Sequence, residues 1–136
     1  MIVVDTGPLV ALFDPKDQMH DDCDNRFRAF RTPLVTTLPV LTEAFYMLSP
    51  ESRGSDQLRQ FIANGAMSAH YSSDAEVARM FELMETYRDR PMDLADASII
   101  SAAETLGTRK VFTLDRRDFD AYRVKRGHRH LAVEIV

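Results

Sequence analysis

The chain has no tryptophan, a single cysteine and no long apolar run, and each absence removes a class of protein. Cys23 alone cannot close an internal disulfide, so a cystine-stapled scaffold is excluded and a reducing, cytoplasmic setting is expected. No apolar stretch approaches the roughly 20 residues that a membrane span needs. The first run, Ile2-Val3-Val4, meets Asp5 with no basic region before it, which fits neither a signal peptide nor a membrane anchor. Repeats, linkers and low-complexity segments are also lacking. With 136 residues, 45% of them hydrophobic and 28% charged, one folded domain over 1–136 with its own core is expected.

Positive charge is scarce overall, since the net charge is −4. Its distribution is uneven. Residues 108–130 carry eight Lys/Arg, including Arg116 and Arg117, against three acids; that segment is +5 and the remainder is −9. A basic segment beside an acidic remainder fits a polyanion site next to an acidic, metal-binding cluster. A solvated charged loop accounts for the same residues equally well.

What is present is a run of apolar strands that end in acids. Ile2-Val3-Val4 stops at Asp5-Thr6-Gly7-Pro8, the pattern of a buried strand delivering a carboxylate at its C-terminal tip. Pro8 then leads into a short helix carrying Leu9, Val10, Leu12 and Phe13. Asp14 to Asp17 reads as a turn, and His20–Arg31 as an amphipathic surface helix. Leu34-Val35-Thr36 is a second strand. Thr37-Leu38-Pro39 opens a helix with the stripe Leu41, Ala44, Phe45 and Leu48, and Glu43 lies inside it among apolar neighbours. Ser55–Asn64 is a helix capped by Gly65, and Ala66–Tyr71 a third strand.

Ser73 and Glu76 form a capping-box pattern that starts a helix striped by Val77, Met80, Phe81, Met84 and Tyr87. After Arg90-Pro91, Asp93-Leu94-Ala95-Asp96-Ala97 begins an apolar helix that Gly107 ends. Lys110 to Asp115 is the second clear strand running into an acid, a basic loop follows, and Leu131–Val136 is a final strand. Strands alternating with helices predict an α/β fold with a central, mainly parallel sheet of about five strands between helical layers.

Asp5 and Asp115 would then share one rim of the sheet. Asp93 and Asp96 are three apart, hence on one face of a helix start, where capping explains Asp93 at least as well as chemistry does. A buried Glu43 requires an ion-pair partner or a metal. Acids without nearby His or Cys suit a hard, oxygen-loving cation, Mg²⁺ or Mn²⁺, rather than zinc. Such an ion relieves the repulsion among carboxylates and promotes phosphodiester hydrolysis. His20, His128 and His130 read as exposed, and the seven methionines as core or partner groove.

Ile-Val-Val-Asp5-Thr6, Glu43 in a helix some forty residues on, Asp93-Leu-Ala-Asp96-Ala97, and Thr113-Leu-Asp115-Arg-Arg-Asp118-Phe119 together resemble a PIN domain. The short single-domain form is similar to the VapC-type toxins of type II toxin–antitoxin systems. The resemblance implies a three-layer fold with strand order 3-2-1-4-5, which makes strands one and four neighbours and brings Asp5 and Asp115 together. It implies a metal-dependent ribonuclease whose catalytic acids are Asp5, Glu43, Asp96 and Asp115. Of these, Asp5, Asp96 and Asp115 would hold Mg²⁺ or Mn²⁺. Asp93 would be an extra acid, Thr6 and Thr113 pocket hydroxyls, Asp118 a turn residue, and Arg116 and Arg117 contacts to the RNA backbone. It further implies a homodimer and a small antitoxin protein. The rival readings are a haloacid dehalogenase-type phosphatase, for which Gly7 stands where a second Asp is needed, a receiver domain, and a non-catalytic PIN-like module that binds RNA or protein.

Overall fold

Strand β1 (Ile2–Val4) is buried at all three positions. Successive strand side chains point to opposite faces, so three consecutive buried residues require cover on both sides of the sheet. A computed structural model of residues 1–136 shows that cover. The chain continues through α1 (Thr6–Phe13), α2 (His20–Ala29), β2 (Leu34–Thr37), α3 (Leu38–Leu48), α4 (Arg53–Ala63), β3 (Ser68–His70), α5 (Asp74–Thr86) and α6 (Leu94–Leu106). It closes with β4 (Lys110–Phe112), α7 (Arg116–Ala121), β5 (Arg123–Arg126), β6 (Arg129–Ala132) and β7 (Glu134–Ile135).

Five strands form one sheet in the order β3-β2-β1-β4-β7, and every pairing is parallel. The neighbours of β1 are β2 and β4, with Val3 opposite both Val35 and Val111. The architecture is the expected one, but the outermost strand is the seventh rather than the fifth. The basic segment is not a loop: it folds into α7 and a separate antiparallel ribbon of β5 and β6. The expected final strand Leu131–Val136 is accordingly divided, its first part pairing in the ribbon and its second in the sheet.

Helix α6 packs across β1, β2 and β4, with α5 behind it, while α1 packs against α2, α3 and α4. The apolar core contains Val3, Val4, Leu9, Ile99, Ile100 and Phe112, all fully buried. Each such side chain is worth roughly 2 kcal/mol of transfer free energy. Phe27 meets Phe112 at a tilt and Phe30, just past α2, meets it edge-on, joining α2 to β4.

Several local signals act as read. Ser73 and Glu76 form a complete capping box on α5. Gly107 (φ 68°) ends α6 in the left-handed conformation that an L side chain would strain to reach. Phe81 departs from expectation: it is 58% exposed, and Leu83 takes the inward position beside Met80. His20 is not free on the surface, because its Nδ1 lies 2.8 Å from the Ala11 carbonyl oxygen and ties α2 to α1. No helix is long and apolar enough to cross a membrane.

Candidate active site

The C-terminal ends of the parallel strands carry the acids. Asp5 follows β1 directly and is also the N-cap of α1. Its Oδ1 accepts from the Thr6 amide at 2.7 Å and its Oδ2 from the Thr113 hydroxyl at 2.7 Å. Its own amide donates to the Phe112 carbonyl at 2.9 Å, which fixes the residue to the end of β4. Asp5 is only 8% exposed, and this burial pushes its carboxyl up to about 6 against the two hydrogen bonds that oppose it. Glu43 and Asp93 push the same way. Beside it, the buried Thr6 Oγ1 has no hydrogen-bond partner.

Asp93 and Asp96 differ in burial and in hydrogen-bond partners. Asp93 is exposed and caps α6, its Oδ1 accepting from the Asp96 amide at 2.8 Å. Asp96, one turn in and half-buried, accepts at Oδ2 from the Tyr122 hydroxyl at 3.0 Å. Burial, then the charges of Asp93, Asp5 and Asp115, push Asp96 up to about 7 despite that bond. The Tyr122 phenol is raised by burial and by Asp96, so it remains a donor at neutral pH.

Asp115 lies just beyond β4, exposed, as the N-cap of α7. Its amide donates to Thr113 Oγ1 at 3.0 Å and its Oδ1 accepts from the Asp118 amide at 3.2 Å. Its carboxyl is raised by what burial it has and by Asp118, while Arg117 opposes. Asp118 pairs with Arg90 at 3.4 Å. Glu43 projects from α3, half-buried, with no Lys or Arg within 4.0 Å, so the ion pair that could have explained it is missing.

These side chains line one cleft of about 550 Å³. Asp5, Thr6, Glu43, Asp93, Asp96, Asp115 and Asp118 all reach it. Thr113 acts from behind, through Asp5 and the Asp115 amide. Arg117 lines the adjoining pocket with Arg90 and Asp118; Arg116 lines neither. Tyr122 and Arg90 are the residues sequence reasoning missed. Asp118, expected only to hold its turn, faces the cleft, and its carboxylate pairs with Arg90 while the Asp115 side chain caps the turn.

The acids do not form a closed cage, since no three His, Cys, Asp or Glu side chains stand together as a formed metal cluster. Asp5, Asp93, Asp96 and Asp115 are each bound to a local donor instead. Mg²⁺ keeps several of its waters and takes one or two carboxylates plus substrate phosphate, so an open arrangement suits it. The all-oxygen donor set, the crowding that raises Asp5 and Asp96, and the unpartnered Thr6 hydroxyl fit such an ion.

The largest cavity, about 720 Å³, lies elsewhere, against Phe13, Phe27, Phe30 and Phe61 near the start of β2. It lacks the convergent acids, so volume is a poor guide to the chemistry here.

Known proteins resemble the chain over most of its length. Ribonuclease VapC26 of Mycobacterium tuberculosis is 27% identical over 134 residues, 97% of this chain and 99% of that protein. The crystal structure of Mycobacterium tuberculosis VapC20, a Sarcin-Ricin loop cleaving toxin, superposes with a TM-score of 0.78 at 16% identity, covering 86% of this chain and 92% of that one. A toxin–antitoxin complex from Klebsiella pneumoniae gives 0.69 at 18% identity, with 89% and 92% covered. VapBC2 from Rickettsia felis, bound to a promoter DNA fragment, gives 0.61 at 16%, with 88% and 91% covered. The family model for the PIN domain matches residues 2–125, nearly the whole length, and the chain belongs to the PIN domain family.

Proposed function

We propose that this protein is a metal-dependent endoribonuclease, the toxin of a toxin–antitoxin pair. The observation that carries the reading is the convergence of Asp5, Glu43, Asp96 and Asp115, from four separate elements, on one cleft. Asp5, Asp96 and Asp115 hold Mg²⁺ or Mn²⁺. When bound, the ion supplies a water activated for attack on phosphorus and charge to stabilise the leaving oxygen. Glu43, unpaired with any cation, accepts a hydrogen bond from the attacking water and orients it. Thr113 and Tyr122 set the positions of Asp5 and Asp96 through the bonds described above. Arg116 and Arg117 meet the phosphate backbone, which adds affinity without reading bases.

Ribonuclease VapC26 is named for the activity proposed here, and two of the structural relatives are toxin–antitoxin assemblies, which supports RNA as substrate and a small antitoxin as partner. A homodimer is supported by the exposed apolar side chains of Tyr46 (82% exposed), Met47, Leu38 and Leu94.

The reading is tested by the chemistry of the cut ends. Attack by water leaves a 5′-phosphate and a 3′-hydroxyl, and a chelator abolishes the reaction. Products ending in a 2′,3′-cyclic phosphate, formed equally well in chelator, would mean the RNA's own hydroxyl attacks and the acids are not the catalyst.

A further inference from the structure

The β5–β6 ribbon is fastened to α6 along the length of that helix. Tyr122, just before β5, donates to Asp96 in its first turn; the Lys125 amide donates to Glu104 near its end at 2.8 Å; and Arg126 donates to the Gly107 carbonyl just past it at 3.0 Å. The ribbon therefore begins at the acidic cleft and runs beside α6 for about 13 Å toward the opposite end of the molecule.

Its register decides what faces water. Val124 lies opposite Leu131 and is 1% exposed, so this pair is turned inward. Arg123 and Lys125, the latter opposite His130, stand on the other face. Arg126 and Arg129, opposite each other on the face of Val124 and Leu131, flank the tip, which turns at Gly127 (φ 62°). Arg123, Lys125, Arg126 and Arg129 are all exposed.

None of this charge is neutralised. Arg26, Arg28, Arg59, Arg79, Arg88 and Arg90 each have a carboxylate within 4.0 Å. Lys16, Arg31, Arg53, Arg109 and Lys110 have none, but the unpaired cations grouped beside the cleft are Arg116, Arg117, Arg123, Lys125, Arg126 and Arg129, and the guanidiniums of Arg123 and Arg126 bond only main-chain carbonyls. Charge on a ribbon's free edges guards against edge pairing, but either sign would serve. Edge protection does not explain cations alone in a chain of net charge −4, nor their continuity with Arg116 and Arg117 on α7.

We propose that the outer face and the exposed tip of the β5–β6 ribbon form a second RNA-binding surface, a cationic arm that holds the ribose–phosphate backbone flanking the cleaved bond. This rests on the ribonuclease reading above. The cleft itself repels a polyanion, so affinity has to come from beside it, and the arm is the unneutralised charge that starts there. The ribbon exposes no Phe, Tyr or Trp on which bases could stack, so it grips backbone rather than sequence. Its consequence is selection by length: an RNA that reaches from the cleft along α6 binds better than one that fills the cleft alone.

The test uses the full chain and the double variant Lys125→Glu with Arg129→Glu, neither of whose side chains makes a bond within the fold. Fluorescence anisotropy in chelator measures binding of a long and a short labelled RNA without cleavage, and Mg²⁺ is then added to read the cut. For the long RNA the variant should bind at least about tenfold more weakly, with the slope of log K against log salt shallower by about 2. The short RNA should bind and be cleaved within about twofold of the wild type. Equal weakening for both RNAs, or none for either, overturns the arm. So does a variant that keeps its RNA affinity but loses binding to an acidic protein partner such as an antitoxin. If neither RNA is cleaved by the wild type while the length-dependent binding stands, the ribonuclease reading fails and the arm does not.

Discussion

Thr113 and Asp5, 108 residues apart in sequence, share a 2.7 Å hydrogen bond across the β1–β4 seam, and the same threonine oxygen accepts the Asp115 amide at 3.0 Å. One hydroxyl thus positions two of the acids. Thr113→Val keeps the shape and removes the donor. The bond lowers the Asp5 pKa, so its loss should move the Asp5 titration above about 6. Cleavage at neutral pH should fall about tenfold and partly recover in more alkaline buffer, as a pH–rate profile would show. A uniform loss at every pH would mean the threonine only supports the fold.

The metal-free protein should be strained by its own acids. Asp5 sits at about 6 and Asp96 at about 7, both above the ordinary aspartate value of 3.8. A folded-state pKa above the unfolded one favours the protonated form. The stability it confers is complete below about pH 4 and is lost as pH rises through 6 and 7. In chelator at about pH 8, Asp5→Asn should therefore be more stable than the wild type by on the order of 2 kcal/mol in urea titrations, with the difference gone near pH 4. Added Mg²⁺ should stabilise the wild type and not the variant. A less stable Asp5→Asn at pH 8 would contradict the burial argument.

Tyr122 tests a relationship that has no trace in the local sequence. Its ring is fully buried, edge-on to Tyr87 and Phe119, so Tyr122→Phe should fold with a cost near 1 kcal/mol for the lost hydrogen bond. Asp96 would lose the donor that lowers its pKa and titrate above about 7. Metal affinity, measured calorimetrically at neutral pH, should drop and return as pH is raised. An unchanged affinity would make the hydroxyl a structural ornament of the core.

Asp93 and Asp96 should separate under substitution. Asn caps a helix as well as Asp does, so Asp93→Asn should leave thermal stability nearly unchanged, whereas Asp93→Ala should cost about 1 kcal/mol. Both should retain most of their Mg²⁺ or Mn²⁺ affinity, while Asp96→Asn should lose it. If Asp93→Asn abolishes metal binding, Asp93 is a ligand and more than a cap.

What was legible in the chain followed from local pattern. The apolar triplet ending in Asp5, the Ser73–Glu76 box and Gly107 each carry their meaning within a few residues, and the structure realises all three. The capping of α6 by Asp93 was visible too, but a cap and a ligand are written with the same carboxylate, so the sequence does not separate its role from that of Asp96. The Tyr122–Asp96 bond spans 26 residues and obeys no spacing rule. The β5–β6 ribbon escaped because its apolar signal is a single inward pair, Val124 and Leu131, among cations that read as loop. Its insertion made the sheet's outer strand the seventh. Phe81 was placed inward by helical period and lost that place to Leu83, since the period fixes a stripe only to within a residue.

The most direct test of the acidic centre is single-turnover cleavage of one RNA in Mg²⁺ by the wild type, Asp5→Asn and Asp96→Asn, each shown to be folded. Wild-type cleavage that requires the metal, with losses of at least about a hundredfold in both variants, is the predicted result. Cleavage by Asp5→Asn at the wild-type rate, or equal cleavage by all three in chelator, would contradict it.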